Sequence, residues 1–271
     1  TNLSAEDVVE GKIGNAFSFS NEKQTLLSRV HDAADQLPAN KHESHTVSMW
    51  SKVDGNGQND LRLFSEANTG DSNPLFNIGT DSGGASGSID FYIRQSGWPA
   101  VNHIKSTAEP YDGEWHHVVF VQEDGERRVY VDGELDDLEI APKPDGTFNV
   151  NDTTIGGILR SSASHWVTGL IDDVAIWNRA LSDDEAAQLH KEGLASVFPS
   201  LGNGLVAYWP LDEVQGSKTP DLVNGYDMEL TNLSAEDVVE GKIGNAFSFS
   251  NEKQTLLSRV HDAADQLPAN K

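Results

Sequence analysis

The sequence predicts an all-β fold, a sandwich or barrel of antiparallel strands that carries one short helix near 182–192. Three observations predict it. Short alternating or β-branched runs bounded by Gly, Asn, Asp and Pro recur along the chain. Their spacing of ~8 to 15 residues suits hairpins and meanders rather than strand-helix-strand units. Only one segment collects a full set of helix signals.

In chain order, strands are expected at Ala16 to Ser20, Thr46 to Lys52, Leu61 to Ser65, Leu75 to Ile78, Ser88 to Arg94, His116 to Gln122, Arg127 to Val131, Thr153 to Ile155, Leu170 to Trp177 and Leu205 to Trp209. Between the first two, Gln24 to Gln36 has apolar residues at helical spacing, although a strand followed by a loop also fits. Glu123-Asp124-Gly125-Glu126 and then Asp132-Gly133 supply consecutive tight turns, because Asp and Gly accept the positive φ that primed turns require. The helix opens on Ser182 with Glu185 three residues on, a capping box. Asp183 and Asp184 lie at the positive end of its dipole, Ala186, Leu189 and Leu194 form its apolar stripe, and Gly193 ends it. Ala195 to Asn203 reads as a Pro/Gly/Ser connector and the best domain boundary.

The chain has 271 residues, of which Thr1 to Lys41 recur unchanged as Thr231 to Lys271. The unique content is therefore one unit of 230 residues. That period is far longer than the ~20 to 50 residues of solenoid repeats, so each unit should close its own core. The duplication is either artificial or, the reading favoured here, the mark of a tandem array. No signal peptide opens the sequence, and because residues 1–41 are internal to the repeat, the native N-terminus is expected to lie outside it.

Asp and Glu total 43 against 19 Lys and Arg, a net charge of −24. That field opposes nucleic acid, anionic membranes and polyanionic substrates, and is compatible with divalent cations, neutral glycans or simple solubility. The absence of cysteine excludes disulfides and thiolate metal sites. No run approaches the ~20 apolar residues of a membrane span.

Several motifs occur together and in a fixed order. They are Gly204-Leu-Val-Ala-Tyr-Trp-Pro-Leu-Asp-Glu213, Pro220-Asp-Leu-Val-Asn-Gly225, Gly11-Lys-Ile-Gly-Asn-Ala-Phe-Ser-Phe19, Thr46-Val-Ser-Met-Trp50, Gly113-Glu-Trp-His-His-Val-Val-Phe-Val121 with Val129-Tyr-Val-Asp-Gly-Glu-Leu135, and Gly169-Leu-Ile-Asp-Asp-Val-Ala-Ile-Trp-Asn-Arg-Ala-Leu-Ser182. Over essentially the whole unit the chain resembles the laminin-G-like, concanavalin-A-like jelly-roll domains common in bacterial surface proteins. The resemblance implies a two-sheet antiparallel jelly-roll sandwich that binds glycans or proteins, often with calcium, at the cell surface or outside the cell. It also implies that the segment at Leu205 is the first strand and that at Ile171 the last. Residues 1–199 would then be a jelly roll lacking its first strand, 200–203 a linker, and 204–271 the start of the next repeat. Strand 204–213 either turns back onto its own body or completes a neighbouring copy, building a head-to-tail filament.

Calcium is the leading metal expectation, since hard cations want clustered oxygens. The resemblance points to Asp221, Asn224 and Asp172 as ligands, with Asp173 and Glu213 as further partners; the alternative is loop capping without metal. Asp54 to Asp60 looks like the start of a calcium loop, but Asn59 stands where Gly is needed, which favours a polar turn. Glu134, Asp136 and Glu139 fit a bulged glycosidase signature, yet Asp137 falls where an apolar residue belongs and a tight hairpin precedes it, so no catalytic residues are assigned. His116, His117, His42 and His45 lack any nucleophile motif and read as structural. Trp50, Trp115, Trp177 and Trp209 lie in strand motifs and should be core. Trp98 and Trp166 lie in polar loops and are the candidate platform for stacking on sugar rings. The expected function is a non-catalytic module for adhesion, glycan binding or filament assembly, whose partners are a glycan, a surface protein or neighbouring copies. The alternatives are a ligand-free structural repeat and, last, a glycoside hydrolase.

Overall fold

A computed structural model describes residues 8–10, 15–22, 24, 26–30, 37, 39–71, 73–97, 100–143, 150–213, 215, 217–229, 238–240, 245–247 and 256–257. The elements in order are β1 (Val8–Glu10), β2 (Asn15–Phe19), β3 (Leu26–Val30), a 3-10 turn (Ala39–Lys41), β4 (His45–Asp54), β5 (Arg62–Ala67), β6 (Leu75–Thr80), β7 (Ile89–Arg94), β8 (Val101–Lys105), β9 (Asp112–Glu123), β10 (Glu126–Val131), β11 (Glu134–Leu135), β12 (Asp152–Ile155), β13 (Ile158–Leu159), β14 (Ala163–Ser164) and β15 (Gly169–Trp177). Then follow α1 (Asp183–Glu192), α2 (Leu194–Leu201), β16 (Leu205–Trp209), β17 (Lys218–Thr219), β18 (Met228–Glu229), β19 (Val238–Glu240), β20 (Asn245–Phe247) and β21 (Leu256–Leu257).

One sheet has the order β1-β2-β15-β4-β9-β10-β11 with β16 also on β15; the other has the order β21-β3-β12-β5-β6-β7-β8. Period-2 alternation builds the core between them. Val47 and Met49 of β4, Val118 and Phe120 of β9, Phe76 and Ile78 of β6, and Ile89, Phe91 and Ile93 of β7 meet in one cluster. The turns between β9, β10 and β11 each have two residues of positive φ, Asp124-Gly125 and Asp132-Gly133, the geometry that matches strand twist.

The two sheets differ on their outer faces. Helices α1 and α2 cover that of the eight-stranded sheet, where Leu189, Leu194, Val197 and Leu201 pack on Trp177, Leu205 and Tyr208. The indole N–H groups of the fully buried Trp177 and Trp209 donate to Leu201 O (2.8 Å) and Tyr226 O (3.0 Å), so neither ring leaves a polar atom orphaned. The outer face of the seven-stranded sheet instead presents Asn77, Tyr92, Arg94 and His103.

Helix α1 has the expected box: Glu185 N–H donates to Ser182 Oγ (3.2 Å) and Ser182 N–H to Glu185 Oε2 (2.9 Å). Gly193, at φ 73°, ends it. The expected connector is corrected, because Leu194–Leu201 is helical despite Pro199: its apolar side chains are buried against the sheet. In Gln24 to Gln36 the strand option holds for Leu26–Val30, and residues 31–36 lie outside the described set. Trp115 is half-buried rather than core.

Of the two placements open to the strand at Leu205, the structure has the return to its own body: β16 pairs antiparallel with β15, Val174 opposite Trp209 and Ala175 opposite Tyr208. The expected boundary at 200–203 therefore falls inside one body. On the same edge β15 pairs with β2 over Gly169–Ile171. Between the two partners lies a bulge against β4, where Asp173 takes φ 47°. An extra residue there lets one strand serve two neighbours.

Candidate ligand site on an outer sheet face

A cavity of about 190 Å³ opens on the outer face of the seven-stranded sheet. Its floor comes from β5, β6 and β7, where strict alternation puts Ile89, Phe91 and Ile93 in the core and turns Tyr92 and Arg94 outward. His103 of β8 closes one side, and the β13–β14 hairpin, with Ile158, Arg160 and His165, closes another. That hairpin is tied to β5 by the Arg62 N–H, which donates to His165 O (2.9 Å).

The polar groups are held in place. Arg62 Nη2 pairs with Asp60 Oδ1 at 2.6 Å, and with Asn77 oriented to donate to Ser65 Oγ and Phe76 O, its amide oxygen accepts from Arg62 Nε (3.3 Å). Arg160 Nη2 donates to Ser164 Oγ (3.0 Å) and Arg94 Nη1 to the Tyr92 hydroxyl (3.3 Å). The Tyr92 ring lies 4.9 Å from that of His103 and 5.7 Å from the Arg94 guanidinium carbon. His103 Nδ1 is 3.1 Å from Asp90 Oδ1. Burial, then the charges of Arg62 and Arg160, pull the His165 pKa down to about 4, so its imidazole is neutral at pH 7.

The residues expected to hold calcium lie on β15 and in the segment that follows β16. Asp221 is a loop cap: Oδ1 accepts the N–H groups of Tyr208 (2.8 Å) and Val223 (3.1 Å), and Oδ2 those of Asn224 (2.9 Å) and Tyr226 (3.0 Å). Asn224 Nδ2 donates to Val206 O (2.8 Å), and the exposed Glu213 accepts from Gln215 Nε2 (2.9 Å). Asp172 Oδ1 accepts the Asp173 N–H (2.9 Å), while Asp173 Oδ1 accepts the Tyr208 hydroxyl (2.6 Å). Burial raises the Asp173 pKa to about 7; the Tyr208 hydrogen bond opposes the rise and the Asp212 carboxylate adds to it. Calcium takes about six to eight oxygens, and a carboxylate already facing four N–H donors has no lone pair to give. Among the described residues no three His, Asp or Glu side chains gather as a metal site. In this arrangement Asp221 caps a loop with both of its carboxylate oxygens.

A family model described as the concanavalin A-like lectin/glucanases superfamily matches residues 29–187. The chain belongs to this laminin-G-like family. It is 30% identical over 213 residues to the human adhesion G-protein coupled receptor D1, covering 72% of this chain but only 23% of the receptor. Among solved structures it is similar to a putative carbohydrate binding protein from Bacteroides ovatus (19% identity, 79% of this chain and 57% of that one, TM-score 0.49). It is also similar to the CBM40 of Ruminococcus gnavus IT-sialidase (18%, 66% and 97%, 0.48) and to the SAP-like pentraxin of Limulus polyphemus (18%, 69% and 82%, 0.48).

The remaining candidates take ordinary places in this laminin-G-like domain. Glu134, on β11, and Glu139 are exposed, while Asp136 is buried and accepts the N–H groups of Thr107 (3.0 Å), Ala108 (2.8 Å) and Leu138 (2.9 Å). The three carboxylates do not share a strand, since β11 ends at Leu135. Asp54 forms a local turn by accepting Asn56 N–H (3.0 Å). His116 lies between Asp132 (2.7 Å) and Asp112 (3.2 Å), whereas His117 is buried and shares a hydrogen bond with Ser48 Oγ (2.8 Å). Trp98 lies outside the described residues. Trp166 is half-buried and follows His165 in the chain, but it does not line the cavity. Sequence reasoning passed over Arg62, Arg94, Arg160, Tyr92, His103 and His165. The one available signal was Ile89-Asp-Phe-Tyr-Ile-Arg94, whose alternation puts Asp90, Tyr92 and Arg94 on one face.

Proposed function

We propose that this laminin-G-like domain is a non-catalytic glycan-binding module of a secreted or cell-surface protein, serving adhesion. The observation that carries the reading is the cavity itself: a preformed hollow on a sheet face that no helix covers among the described residues, lined by hydrogen-bonding groups around an aromatic ring. Convergent polar groups around an apolar surface are what an oriented ligand requires. At about 190 Å³ it is smaller than the ~300 to 1,000 Å³ of pockets that enclose drug-sized ligands. It suits one residue of a glycan. Glycoside hydrolysis needs a pair of carboxyl groups across the bond, and Asp60 is the lone carboxylate among the described lining residues.

A glycan array probed with the whole chain tests this. Reproducible binding to a defined set of glycans, weakened about tenfold by Tyr92→Ala in a protein that melts normally, is expected. No binding to any arrayed glycan would end the reading. Assembly of copies through the duplicated 41 residues is a second reading, favoured by the identity of residues 1–41 and 231–271.

A further inference from the structure

We propose, resting on the glycan-binding reading, that the cavity recognises a single acidic sugar, with Arg62, Arg94 and Arg160 gripping its carboxylate or sulfate. Three guanidiniums, of Arg62, Arg94 and Arg160, and one carboxylate, of Asp60, line the space. The surrounding chain has a net charge of −24 and 19 basic residues in all. Concentrating three arginines in one hollow of such a chain is electrostatically unfavourable unless an anion offsets it. The mutual repulsion shows in Arg160: burial lowers its pKa first, then the charges of Arg62 and Arg94.

The three come from separate elements, β5, β7 and the β13–β14 hairpin, so the cluster exists only in the folded protein. Asp60 is engaged with Arg62, while Arg160 Nη2 donates to the neutral Ser164 hydroxyl. A guanidinium carries five N–H donors in a planar fork matched to oxyanions. The neutral His165 and the Tyr92 ring border the same space and suit the uncharged body of a sugar. The acidic exterior decides the size of the ligand. A long polyanion would be repelled along most of its length, whereas one terminal acidic residue places its charge against the three arginines.

The test is a glycan array carrying matched neutral, sialic-acid-terminated, uronic-acid-terminated and sulfated glycans, followed by titration calorimetry on the best pair. The wild type should bind an acidic glycan at least tenfold more tightly than its neutral parent. The carboxylated and sulfated arms identify which oxyanion is read. Arg160→Gln and Arg94→Gln should each abolish that preference, and Arg160→Lys should recover it only in part, because an ammonium lacks the fork. Preference for neutral glycans, or an acid preference unaffected by both Gln variants, overturns the proposal and leaves the glycan reading standing. Failure to bind any glycan sinks both. The wild-type comparison requires no variant to fold.

Discussion

Asp173 shows what one residue can be asked to do. It sits at φ 47° in the β15 bulge, which disfavours most side chains but suits Asp and Asn, and its buried carboxyl has a pKa near 7 instead of the usual 3.8. A raised folded-state value means its contribution to stability is intact below about 4 and is lost as pH rises through about 7. Asp173→Asn keeps the backbone preference and the Tyr208 hydrogen bond. It should raise the melting temperature by several degrees at pH 8 and by little at pH 4.5; equal effects at both would show that ionisation is not the cause. His45 and His117 have the opposite sign. Burial lowers both to about 3, so their contribution is complete above 6.5 and lost as pH falls toward 3, and this acid limb should persist in Asp173→Asn. Asp221 is a third case. Removing its carboxylate leaves four N–H groups to find other acceptors, so Asp221→Ala should cost ~3 kcal/mol or more, roughly 6 to 12 °C. EDTA, in contrast, should leave the wild-type melting temperature within about a degree. A drop of several degrees on chelation, reversed by calcium, would reinstate the five-residue metal site.

Helix α1 is fixed by short-range chemistry. Its capping box is joined by a bidentate pair, Arg179 to Glu185, with both contacts at 2.8 Å. Ser182→Ala should therefore cost about 1 kcal/mol, and Glu185→Ala more, because it also releases the Arg179 fork; thermal melts of the two variants compare them directly, and equal losses would show the pair contributes nothing. The same locality made α1 legible in advance, as it did the two Asp-Gly turns and the alternating strands, whose signals lie within a few residues of one another. Helix α2 was illegible for the converse reason. Pro199 and its Gly and Ser neighbours read as a connector, and the segment is helical because Leu194, Val197 and Leu201 are buried against the sheet and Leu201 O accepts the Trp177 indole. The ligand cavity follows the same rule. Its three arginines are 32 and 66 residues apart along the chain, so sheet pairing, not sequence spacing, brings them together. Calcium is harder still to read from a sequence: a composition rich in Asp and Asn does not reveal whether an oxygen will face a cation or a backbone N–H.

At the scale of the whole molecule, the feature that needs explaining is the slot filled by β1–β3 and the 3-10 turn. Glu66, fully buried, anchors the end of that segment by accepting the N–H groups of Ala39 (2.6 Å) and Asn40 (3.0 Å) and the Asn40 side chain (2.8 Å). Identical residues follow directly after β18, at 231–271. Two equal sequences competing for one set of partners differ only in how they are tethered. The shortened chains 1–230 and 42–271 each contain one complete 230-residue unit, opened at different points. They are circular permutants of one another. Chain ends at exposed sites are well tolerated, and β16 already returns to its own sheet, so the second copy is expected to fill the slot when the first is removed. Both chains should therefore fold, with matching strand-rich circular dichroism and melting temperatures within a few degrees, and Glu66→Ala should weaken both alike. If 1–230 is native and 42–271 is unfolded, the two copies are not interchangeable, and exchange of the duplicated segment between neighbouring molecules loses its basis. If both fold, the full chain holds one segment more than its slot accommodates. The surplus segment is then free to complete a second molecule, and sedimentation of the 271-residue chain should show concentration-dependent oligomers that neither shortened chain forms.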